Sequence, residues 1–229
     1  NEVGYMPGRF SLYQDLTVEE NLNVFAKVFK TSIEENYYLI EDIYKQIEPF
    51  KKRWAGKLSG GMKQKLALCC ALIHKPKVLF LDEPTTGVDP VSRKELWKML
   101  KRLKEQNITI LVSTPYMDEA GMCDRIALIQ NGSFLKIDTP QNIVNQFPYE
   151  LWSVSSENMS KLLTDLRESP NVRSCFAFGE SHHITIENSD WNTDNLKEIL
   201  TTKGHTSIEI RKTEASIEDC FMDLTLEAE

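Results

Sequence analysis

Residues 57–90 read KLSGGMKQKLALCCALIHKPKVLFLDEPTTGVDP, two pieces of phosphate chemistry joined by one helical pattern. The first piece, Leu58-Ser59-Gly60-Gly61-Met62, is a turn with paired glycines that runs straight into the helix. Ser59 suits the cap of that helix, and the glycines let a ligand approach bare backbone N–H groups. Unpaired N–H groups and the positive end of the helix dipole converge at such a start, which favours anions. The second piece is Val78-Leu79-Phe80-Leu81-Asp82-Glu83-Pro84. Its apolar residues predict a buried strand with two carboxylates where the strand ends, the end at which open α/β sheets bind ligands. Asp82 there suits Mg²⁺, through water, and Glu83 suits polarising an attacking water.

Each piece alone is ambiguous. Ser-Gly-Gly fits many loops, and an apolar run ending in Asp-Glu also describes a strand leaving a core. In this order, followed by Thr86-Gly87-Val88-Asp89, the stretch resembles the ATPase domain of ATP-binding cassette (ABC) transporters. Leu58 to Met62 matches the family's signature motif, Val78 to Asp82 its Walker B strand, Glu83 its catalytic glutamate and Thr86 to Asp89 its D-loop. The resemblance therefore implies ATP and Mg²⁺ as cofactors, with Glu83 catalytic and Asp82 at the metal. Ser59, Gly60, Gly61, Met62, Asp82 and Asp89 are the implied nucleotide-binding positions.

Composition narrows the setting. The 229 residues make one large domain or two small ones, and 41% hydrophobic content supports a core. The longest apolar run, Leu66 to Ile73, is far short of the ~20 residues that cross a bilayer. No signal-peptide pattern opens the chain, so a link to a membrane is expected through a partner. A net charge of −7 argues against a nucleic-acid footprint. The locally basic run Lys45 to Lys65 reads as solvated helix faces. Five cysteines, Cys69, Cys70, Cys123, Cys175 and Cys220, show no metal-type spacing and point to a reducing, cytoplasmic setting.

Along the chain, Val3 to Tyr13 begins as a strand. In the family such a strand leads to the Q-loop, whose glutamine follows a proline; here Gly8 follows Pro7, and Gln14 lies too far on to replace it. Thr17 to Glu20 is a capping box for a helix through about Phe29, and Ser32 to Glu35 predicts a second helix start, reaching about Ile47. These belong to the family's helical subdomain, about residues 15–75. Val91 to Glu105 reads as a helix and Ile108 to Val112 as a buried strand. That strand runs into Ser113-Thr114-Pro115, with Pro115 where the family's H-loop carries histidine. Arg125 to Asp138 alternates around Asn131-Gly132, a hairpin signal. From about Gln141 the order βαββαβ(α) is that of a ferredoxin-like unit. His182 and His183 lack a third metal ligand at suitable spacing and read as structural.

The expected fold is α/β: a P-loop NTPase (ABC ATPase) core with a mostly parallel sheet over residues 1–140, then an α+β ferredoxin-like accessory domain over 141–229. No GxxxxGK[ST] phosphate loop occurs in the chain. The resemblance places that loop upstream of Val3, so the chain is expected to enter the fold midway. It should leave part of its sheet exposed, self-associate, and be inactive alone. ABC domains act as head-to-tail pairs, in which the signature of one subunit completes the site of the other. An intact Ser59–Met62 beside Gly8 and Pro115 implies the degenerate half of an asymmetric pair. The partners are a second ABC ATPase domain, as homodimer, heterodimer or within one polypeptide, and a polytopic membrane permease, without nucleic acid. The implied function is energising export from the cytoplasmic face of the cell membrane. The alternative is a non-catalytic regulatory or interaction module on the same fold.

Overall fold

The computed structural model describes residues 2–187 and 191–227; Asn1 and residues 228–229, at the ends of the two expected domains, lie outside it. The chain divides into two compact units, residues 1–116 and 117–229, a division earlier than the 140/141 boundary expected from the pattern of elements.

Unit 1 holds three parallel strands in the order β1 (Val3–Met6), β2 (Val78–Asp82), β3 (Thr109–Ser113). Gly4 and Met6 of β1 and Leu79 and Leu81 of β2 are buried on one face. A Cβ on Gly4 would lie 2.4 Å from the Ala71 carbonyl of α3 (Gly60–Leu72), so glycine is what lets strand and helix meet. Val3, Tyr5, Phe80 and Leu111 are exposed on the other face, with Tyr5, Phe80 and Leu111 in one row across the register. Parallel sheets are ordinarily covered on both faces. This apolar row is thus the exposed sheet surface anticipated from the sequence.

Helix α1 (Val18–Val28) starts at the expected capping box: Thr17 Oγ1 accepts from Glu20 N at 3.2 Å, and Thr17 N donates to Glu20 Oε2 at 2.8 Å. Helix α2 (Tyr37–Ile47) starts later than Ser32–Glu35 predicts. Ser32 Oγ does accept from Glu35 N at 3.2 Å, but the Asn36 side chain then donates to Ile73 O at 2.8 Å. That tether to the end of α3 reorients the chain, and helix follows only after it. Helix α3 packs against both α1 and α2, and Leu22, Ile40, Ile43, Leu66, Leu68 and Cys69 are buried. Helix α4 (Pro90–Glu105) joins β2 to β3.

Unit 2 has two apolar clusters. In one, the hairpin β4 (Ile126–Gln130) and β5 (Ser133–Asp138) packs with α5 (Met117–Ala120), α6 (Pro140–Asn145) and α9 (Ile217–Glu227) through Ile126, Leu128, Ile143, Ile217 and Cys220. Asn131 and Gly132 have φ of 49° and 77°, the left-handed pair that a two-residue hairpin turn needs. The other cluster lies under a four-stranded antiparallel sheet in the order β7 (Val172–Phe178), β8 (Ser181–Ile186), β6 (Leu151–Ser155), β9 (Glu209–Thr213). Helices α7 (Met159–Arg167) and α8 (Thr193–Thr202) cover it, and Trp152, Leu162 and Leu196 are fully buried. The order β6-α7-β7-β8-α8-β9 with β6 and β8 central is the split βαβ arrangement of a ferredoxin-like sheet. His182 Nε2 bonds Met159 O and His183 Nδ1 bonds Asp219 Oδ1, each at 2.8 Å, so both histidines are engaged structurally. No group of three metal-ligating side chains occurs among the described residues.

Candidate active site

The expected site residues fall into two groups within unit 1. Ser59 caps α3: its Oγ accepts from Met62 N at 3.4 Å, which leaves the other N–H groups of the first turn pointing outward. Asp89 caps α4, its Oδ1 accepting from Val91 N at 3.1 Å and Ser92 N at 3.0 Å, with Pro90 at the first helical position. The Ser92 and Val91 bonds hold the Asp89 carboxyl below the usual carboxylate range. These two helix starts face each other across a cavity of about 310 Å³ lined by Ser59, Gly60, Gly61, Met62, Lys65, Gly87, Val88, Asp89 and Ser92. A Cβ on Gly61 would lie 3.2 Å from Ser92 Oγ, tighter than ordinary contact, so the second glycine keeps this cradle open. Lys65 supplies a cation at its wall, braced by Glu95 at 2.9 Å. Ser92 carries no motif of its own and only folding brings it to the signature, whereas Lys65 follows Gly61 by one turn of the same helix.

Asp82 and Glu83 form the second group, at the carboxyl end of β2. They do not line the signature cavity. Both are exposed. Glu83 has a φ of 44°, left-handed for a residue with a side chain. Its N–H donates to Ser113 O and to Ser113 Oγ, both at 3.1 Å, and its Oε2 accepts from Thr86 Oγ1 at 3.0 Å. Ser113 Oγ in turn donates to Asp82 Oδ1 at 2.6 Å. The D-loop threonine thus links the two groups: Thr86 holds Glu83, and the next residue, Gly87, already lines the signature cavity.

Gly8 sits against this pair. A Cβ there would lie 3.1 Å from Asp82 O and 3.5 Å from Asp82 Oδ2, so the backbone after Pro7 approaches the Walker B carboxylate without a side chain to offer it. Pro115 is exposed two residues beyond Ser113. Gln14 is turned elsewhere: its carbonyl accepts from Gly56 N at 2.9 Å. As a donor set, one carboxylate beside a second fits Mg²⁺, which keeps most of its waters and takes its other oxygens from phosphates. The open glycine cradle at a helix start fits a phosphate.

The chain is similar to known proteins over this region and beyond it. The ABC transporter family model matches residues 1–86. The protein named "Probable multidrug ABC transporter ATP-binding protein YbhF" of Escherichia coli (strain K12) is 38% identical over 97% of this chain, which spans 38% of that protein. The Nod factor export ATP-binding protein I of Burkholderia lata is 31% identical over 97% of the chain, here covering 72% of the relative. Among solved structures, an ATP-binding subunit of an ABC transporter matches with a TM-score of 0.57 and 29% identity, over 64% of this chain and 62% of that one. The cassette MJ0796, a dimer in a post-hydrolysis state bound to ADP and Pi, matches with a TM-score of 0.53 and 26% identity, over 61% and 63%. A parallel-sheet core like that of solved ABC ATPase subunits, and a relative 31% identical that matches 97% of this chain and is itself covered over 72% of its length, place this chain in the family of ABC transporter ATP-binding proteins.

Proposed function

We propose that this chain works in an ATP-driven exporter as the degenerate member of an asymmetric ATPase pair, completing a nucleotide site on a partner domain. The observation that carries the reading is the separation within unit 1. The signature cradle, with Ser59, Gly60, Gly61, Met62 and Asp89, is fully built. The Asp82–Glu83 end of β2 instead meets Gly8, and the neighbouring β3, after its last residue Ser113, runs on to Pro115. Glycine has no side chain to orient an attacking water, and the proline side chain neither donates nor accepts hydrogen bonds. Loss of one such positioned group costs ~10² to 10⁴ in rate.

In this reading the cradle N–H groups and Lys65 bind the terminal phosphate of ATP held by the partner. On the chain's own side, Asp82 holds Mg²⁺ through water, and Glu83 polarises the attacking water slowly. When bound, Mg²⁺ neutralises charge on the phosphates. The relatives' names, multidrug transport and Nod factor export, favour export as the coupled process. No described helix is long and apolar enough to cross a membrane, which makes a polytopic permease the expected membrane partner and the inner face of the cell membrane the expected location. Residues 1–116 would be the motor and the ferredoxin-like part of unit 2 the accessory domain.

The test is ATP binding and hydrolysis by this chain and by a version extended upstream through a phosphate loop, each alone and with a candidate partner domain. Slow turnover by the extended version alone and brisk turnover in the pair are expected. Brisk hydrolysis by the isolated extended version would overturn the asymmetric-pair reading.

A further inference from the structure

We propose that Ser113, the last residue of β3, is a positioning residue for the carboxylate pair, setting both the aim of Asp82 and the turn that presents Glu83. The inference rests on reading Asp82 and Glu83 as the metal-side groups of the nucleotide site. It starts from the ladder: Asp82 and Ser113 are the final register pair between β2 and β3, and the ladder ends in the bond from Glu83 N to Ser113 O. To that backbone bond the Ser113 side chain adds two more. The Ser113 hydroxyl donates to Asp82 Oδ1 at 2.6 Å, within the range of a charge-assisted O–H···O⁻ bond. The same oxygen accepts from Glu83 N at 3.1 Å, and Ser113 O accepts from that N–H at 3.1 Å.

This bifurcated bond secures a residue whose φ of 44° is held only where surroundings impose it. On the opposite side Asp82 meets Gly8, which contributes backbone but no side-chain brace. Alternation along β3 would account for an exposed serine as a solvated strand end. It does not account for a hydroxyl whose donor and acceptor functions are both spent on neighbouring site carboxylate residues. Residues that orient metal-side carboxylates typically change metal affinity about 10- to 100-fold when removed.

The test compares Ser113→Ala and Ser113→Thr. In this chain, amide hydrogen exchange at Glu83 should rise about tenfold in Ser113→Ala and return in Ser113→Thr, with Leu79 in the middle of β2 unchanged. In the version extended through a phosphate loop, Mn²⁺ binding in the presence of ATP should weaken about 10- to 100-fold in Ser113→Ala and recover in Ser113→Thr. Equal rises at Glu83 and Leu79 would make Ser113 merely a stabiliser of the sheet and overturn the proposal. So would an unchanged Mn²⁺ affinity in Ser113→Ala when the parent binds, or failure of threonine to restore either readout. A parent that binds no Mn²⁺ with ATP would sink the underlying nucleotide-site reading instead, and the metal half of this inference with it.

Discussion

The start of α3 and the end of β2 are both built to meet phosphate or its metal, but they are finished differently. At α3, Ser59 and Asp89 cap two facing helices, Gly61 keeps Ser92 at bare contact distance, and Lys65 is braced by Glu95. Every group there is tied to a neighbour that would hold it in place as a ligand arrives. At β2, Asp82 and Glu83 are held from behind by Ser113 and Thr86, yet the residue that meets Asp82 is a glycine, and the strand that ends at Ser113 runs on to a proline. Preorganised groups contribute most to catalysis, and the two ends differ in which of those groups remain. On the proposed reading, the scaffold at β2 stays intact while the side chains that would position water are absent from Gly8 and Pro115.

The sharpest way to break this comparison is to damage each end in a reconstituted pair. Gly61→Leu would push a side chain into Ser92, and the pair's ATPase rate should fall ~10² to 10³-fold, as on losing a preorganised anion site. Glu83→Gln in the same pair should leave the rate nearly unchanged; the reverse ranking would show that the chain's own carboxylates do the chemistry. Next in size, Gly8→Gln with Pro115→His in the extended protein should raise its solitary turnover ~10²-fold. Gly8→Gln alone should give less, because Pro115 still offers no side-chain hydrogen bond.

Smaller effects separate structure from ligand binding. Asp89→Ala should lower the thermal midpoint by loss of the α4 cap, and Asp89→Asn should keep it, since asparagine also caps. If Asp89→Asn still loses the pair's activity, the charge acts on the ligand as well as on the helix. The smallest effect is one of pH. His74 Nε2 bonds Val3 O at 3.0 Å, its ring stacks on Phe29, and its Nδ1 is buried without a partner among the described residues. Burial holds its pKa below the usual imidazole value of 6.5. The stability it contributes is therefore complete above that value and is lost as pH falls through the lower folded value. The protection factors of β1 amides, which are corrected for the pH dependence of intrinsic exchange, should fall between pH 7 and 5 in the parent and stay flat in His74→Phe.

Much of this was legible residue by residue. The Thr17 box, the Ser59 cap, the Asn131-Gly132 turn and the βαββαβ order depend on neighbours three or four positions apart, or on periodicity. Those are interactions that a linear pattern encodes. The missed features are contacts across the chain. Asn36 reaches Ile73 and so delays α2. Buried Asn21 binds Tyr13 N and three carbonyls, Tyr13, Leu16 and Thr17, pinning the loop that precedes α1. Nothing in the spacing of either asparagine distinguishes it from a solvated one.

The sequence by itself determined the family, the strand of residues 78–82 and the accessory sheet, and it set Gly8 and Pro115 where the resemblance implies glutamine and histidine, because each lies in a contiguous motif. Only the tertiary structure decided that Ser92 joins the signature cradle, that Gly8 lies against Asp82, and that Ser113 holds both carboxylate residues. The physical reason is that a hydrogen bond or a steric contact depends on distance in space. Parallel pairing of β2 with β3 brings residue 113 to residue 82 across an intervening helix that no local pattern can measure.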